Sequence, residues 1–276
     1  MRPLLLVLAV LVAACGADGP GDETIPAVTD SGILEVGIGD SVRYGDSPQQ
    51  VGSLRLPIDA GEGPFPVIAF IHGGFWRNTY DSSLSEPQAA DARSKGYATW
   101  NFEYRRVGDE GGGYPGTLDD TATAIDALAR IDAPLDLDRV FVVGHSAGGH
   151  LALWVGQRDD PVVVPRLVVG QAPVADLAGS LDLGRGAVEG FMGGTPEQIP
   201  AAYDEADPAR RLPVKVPQLI VHGLRDDDVP FEVVAPYIDK AGDSVDALIF
   251  EDEGHFDVID PASPSWEATL AYLAGI

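Results

Sequence analysis

Residues 139–149 read Arg-Val-Phe-Val-Val-Gly-His-Ser-Ala-Gly-Gly (RVFVVGHSAGG), and the fold is decided by how this stretch is read. In the run 139–143 the residues after Arg139 are continuously apolar rather than alternating, which suits a strand buried on both faces of a parallel sheet. Beyond Gly144 the segment 147–157 has the length and composition of a helix, so a buried strand passes through a tight turn into a helix. Ser146 sits in that turn, with Gly144 two residues before it and Gly148 two after. Side chains at the two glycine positions would collide with neighbouring strands, and the turn forces the serine into a strained backbone conformation. Its Oγ then lies at a helix N-terminus, whose partial positive charge favours a developing oxyanion.

The same rhythm extends in both directions. Strand-like apolar runs occur at 65–71, 97–102, 166–170, 218–221 and 247–250, and helical patterns fall between them at 83–95, 117–131, 231–241 and 263–274. In 117–131, Leu118, Ala122, Ile125, Leu128 and Ala129 share one face, with Asp119, Asp120 and Asp126 elsewhere. Alternating strands and helices predict an α/β fold with a mostly parallel, doubly wound sheet. Residues 33–38 and 51–56, with no helical pattern between them, read as an antiparallel pair at one edge. The stretch from about 176 to 217 carries many glycines and prolines and no strand pattern. That is too long for a plain connection, so it reads as a small helical cap inserted over the sheet.

Chemistry-bearing residues collect just past the strand ends, where open α/β sheets bind ligands. The run 65–71 leads into His72-Gly73-Gly74-Phe75-Trp76, where adjacent glycines leave backbone N–H groups open to an oxyanion. Run 218–221 leads into His222-Gly223-Leu224-Arg225-Asp226-Asp227-Asp228, and run 247–250 into Glu251-Asp252-Glu253-Gly254-His255-Phe256. Serine, acid and histidine thus follow one another along the chain in the order Ser146, Asp226, His255, with Asp227 and Asp228 keeping the identity of the acid open.

These motifs resemble those of α/β-hydrolases of the esterase and lipase type, from about Val51 onward. The resemblance rests on HGGFW at 72–76, GHSAGGH at 144–150, HGLRDDDVP at 222–230 and GHFDVIDP at 254–261, and is nearest to small esterases related to hormone-sensitive lipase and to kynurenine formamidase. It implies Ser146 as nucleophile, His255 as general base and Asp226 as the acid that orients it. It also implies an oxyanion hole from the Ala147 N–H together with those of Gly73, Gly74 or Phe75. Phe75 stands where many members have a third glycine. Phe75, Trp76, Phe191 and Met192 are the candidates for lining a substrate pocket. The implied reaction is hydrolysis of a carboxylic ester, short-acyl because Phe75 and Trp76 crowd the acyl site. The alternatives are an amidase or formamidase, and an inactive lipoprotein that only binds a ligand.

Composition narrows the remaining classes. The 276 residues carry 18 Lys+Arg against 43 Asp+Glu, a net charge of −25, which repels the phosphate backbone of nucleic acid. With 45 % hydrophobic and 22 % charged residues the chain has ordinary globular usage. No zinc-type HExxH, calcium loop or dinucleotide fingerprint occurs, so neither a metal nor a cofactor is expected. Oligomeric state is not encoded in any of these patterns.

The N-terminus reads as an address. Residues 1–14 combine Arg2 with an eleven-residue apolar run, too short to span a bilayer, which needs about 20 residues. The ending Leu11-Val12-Ala13-Ala14-Cys15 resembles the lipobox of bacterial lipoproteins, implying cleavage before Cys15 and a lipid on its sulfur. Cys15 is the one cysteine of the chain, so no intrachain disulfide can form. Residues 15–32 are small, acidic and broken by Pro20 and Pro26, a flexible tether to a body at 33–276. The chain is thus expected to be exported, either anchored on the outer side of the cytoplasmic membrane or secreted. Cys15→Ser should move the protein from the membrane fraction into soluble extract or medium, and an unmodified Cys15 in the mass spectrum of the mature protein would refute the anchor.

Overall fold

A computed structural model describes residues 32–34, 36, 40–58 and 61–276, so the signal segment 1–14, Cys15 and nearly all of the tether lie outside the described residues. The strands are β1 (Ser41–Arg43), β2 (Val51–Arg55), β3 (Phe65–Ile71), β4 (Ala98–Phe102), β5 (Leu135–His145), β6 (Leu167–Gln171), β7 (Gln218–Gly223) and β8 (Val245–Phe250). They form one sheet in the order β1-β2-β4-β3-β5-β6-β7-β8. β1, β2 and β4 pair antiparallel, and every pairing from β4 to β8 is parallel. Each predicted strand run from 65 onward appears, with ends shifted by a few residues. β5 extends furthest beyond expectation, because Leu135 and Asp136 continue the ladder alongside Phe65 and Pro66 before a register shift.

The edge pair differs from the prediction. β2 has the expected place, but its partner is Ser41–Arg43 rather than 33–38. A turn joins them, with Tyr44 N–H donating to Gln50 O and Gln50 N–H to Ser47 O. Leu34 instead forms an isolated parallel bridge with Ile131 and buries its side chain in the core.

Successive strand residues face opposite sides of the sheet, and each side has its own core. Ile68, Phe70, Phe141, Val143, Leu219 and Val221 pack against α1 (Glu86–Ser94) and α7 (Pro264–Ala274) through Ala89, Ala92, Trp266 and Leu273. Val67, Ala69, Val140, Val142 and Ile220 share the other core with α2 (Gly116–Ala127), α3 (Ala147–Val155) and α6 (Phe231–Ala241). All nine residues of α3 are buried, which matches its uniformly apolar or small sequence. The face predicted over 117–131 fails at Ala129, which is exposed in the short turn after α2, and at Asp120. Asp120, assigned to the polar face, is fully buried, where its carboxylate accepts hydrogen bonds from Arg105 N, Nε and Nη2 and from Gln50 Nε2 at 2.6–2.8 Å. A buried charge survives only when paired and hydrogen-bonded in this way.

The insertion between β6 and β7 is helical, containing α4 (Ala187–Met192), α5 (Pro200–Ala206) and short 3-10 turns. It is fused to the main core rather than standing apart from it. His150 of α3 donates from Nε2 to Ala206 O at 2.9 Å, and Trp154 donates from Nε1 to Glu205 O at 2.9 Å. Asp207, also fully buried, accepts from the backbone N–H groups of Leu177, Ala178 and Ala209 at 3.0–3.1 Å, which pins both ends of the segment together. Asp207→Ala strands three N–H groups, each worth about 1–3 kcal/mol when buried without an acceptor. With partial relaxation, the expected loss is about 3 kcal/mol of stability, read as a lower urea midpoint at unchanged slope.

Candidate active site

Ser146 follows the last residue of β5 and precedes α3, with φ 55° and ψ −117°. That region is nearly closed to residues with a side chain and costs on the order of 1–3 kcal/mol. Three backbone hydrogen bonds hold it there. Ser146 N–H donates to Gln171 O at 2.8 Å, and Ser146 O accepts from His150 N at 3.0 Å and Val174 N at 3.3 Å. The flanking glycines are required by contact. A Cβ on Gly148 would stand 2.1 Å from Ile71 O, at the end of neighbouring β3, and one on Gly144 would stand 2.0 Å from Gly148 O. The first contact is the strand collision expected from the sequence; the second lies within the turn itself.

Asp226 and His255 come from the loops after β7 and β8, at the same edge of the sheet. His255 Nδ1 lies 2.7 Å from Asp226 Oδ2, and the other carboxylate oxygen accepts from Asp228 N at 3.0 Å and Val229 N at 2.8 Å. With the carboxylate as acceptor, the imidazole carries its proton on Nδ1, which leaves Nε2 with a lone pair. Burial pushes the Asp226 carboxyl up, but the hydrogen bond and charge of His255, the Val229 N–H and the nearby His222 outweigh it, and the group titrates below its ordinary range. Among the three consecutive aspartates, it is therefore Asp226 that meets the histidine. Asp227 is exposed, and Asp228 borders the cleft described next.

Ser146 and His255 line one cleft of about 130 Å³ with Gly74, Phe75, Tyr80, Leu84, His145, Asp228 and Phe256. Gly74 (φ 110°) and Phe75 (φ 53°) turn their stretch of chain through the left-handed region. Among the described residues, the N–H groups of Gly74, Phe75 and Ala147 donate to no protein acceptor. Gly73 lies deeper, where a Cβ would stand 2.9 Å from His145 O. The Phe75 ring is braced from behind by Gly184 and by Arg77, whose guanidinium carbon lies 5.6 Å from the ring centroid.

The other expected pocket residues sit elsewhere. Trp76, Phe191 and Met192 are buried in the core, and none borders the cleft. Trp76 stacks on Phe191 with centroids 4.7 Å apart, and its Nε1 donates to His150 Nδ1. Their size and apolarity, which suggested a pocket, serve instead to fasten the insertion to the sheet. The remaining histidines are buried supports. His72 donates from Nδ1 to Gly73 O at 2.8 Å and stacks on Tyr104, while His222 brings Nε2 to 3.8 Å from Asp226 Oδ2.

Two supporting residues escaped the sequence reading. His145 donates from Nε2 to His255 O at 2.8 Å, and burial, with the charge of His255, lowers its pKa to about 3, so it is a neutral prop at ordinary pH. Gln171, the last residue of β6, donates from Nε2 to Val258 O at 2.8 Å and steadies the turn that follows His255. A polar residue ending an otherwise apolar strand was the available signal for Gln171. Among the described residues, no group of three or more His, Cys, Asp or Glu side chains is placed to hold a metal ion. No described helix is long and apolar enough to cross a membrane.

Known proteins share this arrangement of chain. Esterase LipC of Mycobacterium tuberculosis is 27 % identical over 271 aligned residues, covering 84 % of this chain and 64 % of the relative. A probable isoprenylcysteine alpha-carbonyl methylesterase of Arabidopsis thaliana is 31 % identical over 116 residues, covering 41 % of this chain and 23 % of the relative. The chain thus spans less than two thirds of the length of either. Among solved structures, esterase B from Lactobacillus rhamnosis superposes with a TM-score of 0.71 at 22 % identity, covering 86 % of this chain and 85 % of that one. The fold is that of the α/β-hydrolases, as the motifs implied. The BD-FAE family matches residues 55–235, a span that holds the Ser146 turn and Asp226 and stops short of His255, and the chain belongs to that family.

Proposed function

We propose that the protein hydrolyses carboxylic esters through an acyl-enzyme formed on Ser146. The observation that carries the reading is the 2.7 Å contact between His255 Nδ1 and Asp226 Oδ2, in a histidine that shares its cleft with a serine held in a strained turn. His255 Nε2 takes the Ser146 proton as Oγ attacks the carbonyl carbon, while Asp226 holds the ring and stabilises its cation. The open N–H groups of Ala147 and of Gly74 or Phe75 receive the oxyanion. Collapse of the tetrahedral species breaks the carbon–oxygen bond, and the alcohol leaves with the proton from His255. Water then attacks the acyl-serine by the same steps, so that one ester and one water give one acid and one alcohol.

The same reading assigns a short acyl group. Pockets for drug-sized ligands run to about 300–1,000 Å³, whereas this cleft offers about 130 Å³ with the Phe75 ring fixed at its wall. We read the chain as exported and held at a membrane through Cys15, on the strength of the sequence at 11–15 alone.

A fluorophosphonate should label Ser146, and Ser146→Ala should abolish labelling and turnover; labelling of a different serine would overturn the assignment. Asp226→Asn should lower kcat by about 10⁴, the scale seen when a triad acid is lost, with far smaller effects from Asp227→Asn and Asp228→Asn on a neutral ester. Across acetate to palmitate esters, kcat/KM should peak at about two to four carbons and fall with longer chains. A palmitate optimum refutes the short-acyl site, and faster turnover of an aryl formamide than of any ester makes the enzyme an amidase.

A further inference from the structure

We propose that the cleft selects esters whose alcohol portion carries a cationic ammonium group, held by the Asp228 carboxylate and the ring of Phe256. The inference rests on the ester-hydrolase reading and adds a substrate class to it.

Asp228 borders the cleft that holds Ser146 and His255. Its backbone is fixed, since its N–H donates to Asp226 Oδ1 at 3.0 Å. Its carboxylate, by contrast, accepts no hydrogen bond and meets no cation among the described residues. Arg225, three residues earlier, is already paired with Asp252, and no Lys or Arg lines the cleft. One unpaired negative charge therefore stands at the border of the cleft.

An exposed aromatic ring borders the same cleft. Phe256 is 56 % exposed and borders the cleft. Phe256 meets His255 edge-on, at 5.2 Å and 88°, which fixes its orientation beside the base. Aromatic faces attract alkylammonium groups through their quadrupole, and a carboxylate adds direct attraction. A net charge of −25 further concentrates cations and repels anions near the cleft.

The position of these groups assigns them to the alcohol rather than the acyl portion. In the proposed mechanism His255 returns its proton to the leaving oxygen, so the alcohol departs on the histidine side. Phe256 follows His255 directly, and Asp228 lies two residues beyond its partner Asp226. Gly74 and Phe75, which carry the proposed oxyanion amides, border the same cleft and are assigned to the acyl side.

The test compares acetylcholine with its uncharged carbon isostere, 3,3-dimethylbutyl acetate, using the full chain at low ionic strength. In the parent protein kcat/KM should favour the cationic ester by about tenfold, the combined scale of an exposed ion pair and a cation–π contact. Asp228→Asn should lower kcat/KM for acetylcholine at least several-fold more than for the isostere, and fluorophosphonate labelling of Ser146 shows that the variant is folded. Added salt should shrink the preference in the parent and not in the variant. A preference equal in parent and Asp228→Asn, or no preference in the parent, overturns the inference while leaving ester hydrolysis standing. Failure of the parent to turn over either ester overturns both.

Discussion

The contact on which the site depends is between two backbones. Gly148, in the first turn of α3, lies so close to Ile71 and His72 that a single added carbon would strike the carbonyl oxygens of both, at 2.1 and 2.5 Å. Because nothing separates them, the start of α3 is pressed against the end of β3. That closeness brings Ser146 and the Gly74–Phe75 amides to one cleft. The strain at Ser146, about 1–3 kcal/mol, is offset by three backbone hydrogen bonds worth about 1 kcal/mol each. The apex of the turn is therefore a fixed point, and the loops that carry Asp226 and His255 are arranged around it.

Much of this was legible because it rests on local pattern. Continuous apolar runs marked the parallel strands, since a strand covered on both faces has no polar side to show. The turn at Ser146 was legible because its glycines answer to a steric demand within a few residues. What the sequence hid depends on distant partners. Asp120 looks like a solvent residue on a helix until Gln50, 70 positions away, and Arg105 are brought against it. Trp76 and Phe191 look like pocket walls until folding stacks one on the other. β1 is three residues long with one buried side chain, Val42, which is too little signal for a periodicity to detect.

The acid shows the boundary between the two kinds of information. Asp226, Asp227 and Asp228 are chemically identical and adjacent, and only the direction in which the loop after β7 turns can distinguish them. The turn is set by Asp226 itself, whose Oδ1 gathers the N–H groups of Asp228 and Val229. One carboxylate thus shapes its own loop with one oxygen and orients His255 with the other. The same turn carries Asp228 to the rim with its charge uncompensated. A carboxylate that meets His255 and one that borders the cleft are set in place by a single short loop.

The anchoring of the insertion has a kinetic consequence. In hydrolases that wait for an oil–water boundary, a helical flap must swing away before substrate can enter. Here the helices between β6 and β7 are tied to α3 by His150 and Trp154, closed on themselves by Asp207, and absent from the walls of the cleft. Nothing in that segment borders the cleft, so under the proposed reaction dissolved monomeric substrate would reach the serine without its moving. Rates should then follow simple saturation through the solubility limit of the substrate, without the abrupt rise that marks interfacial activation.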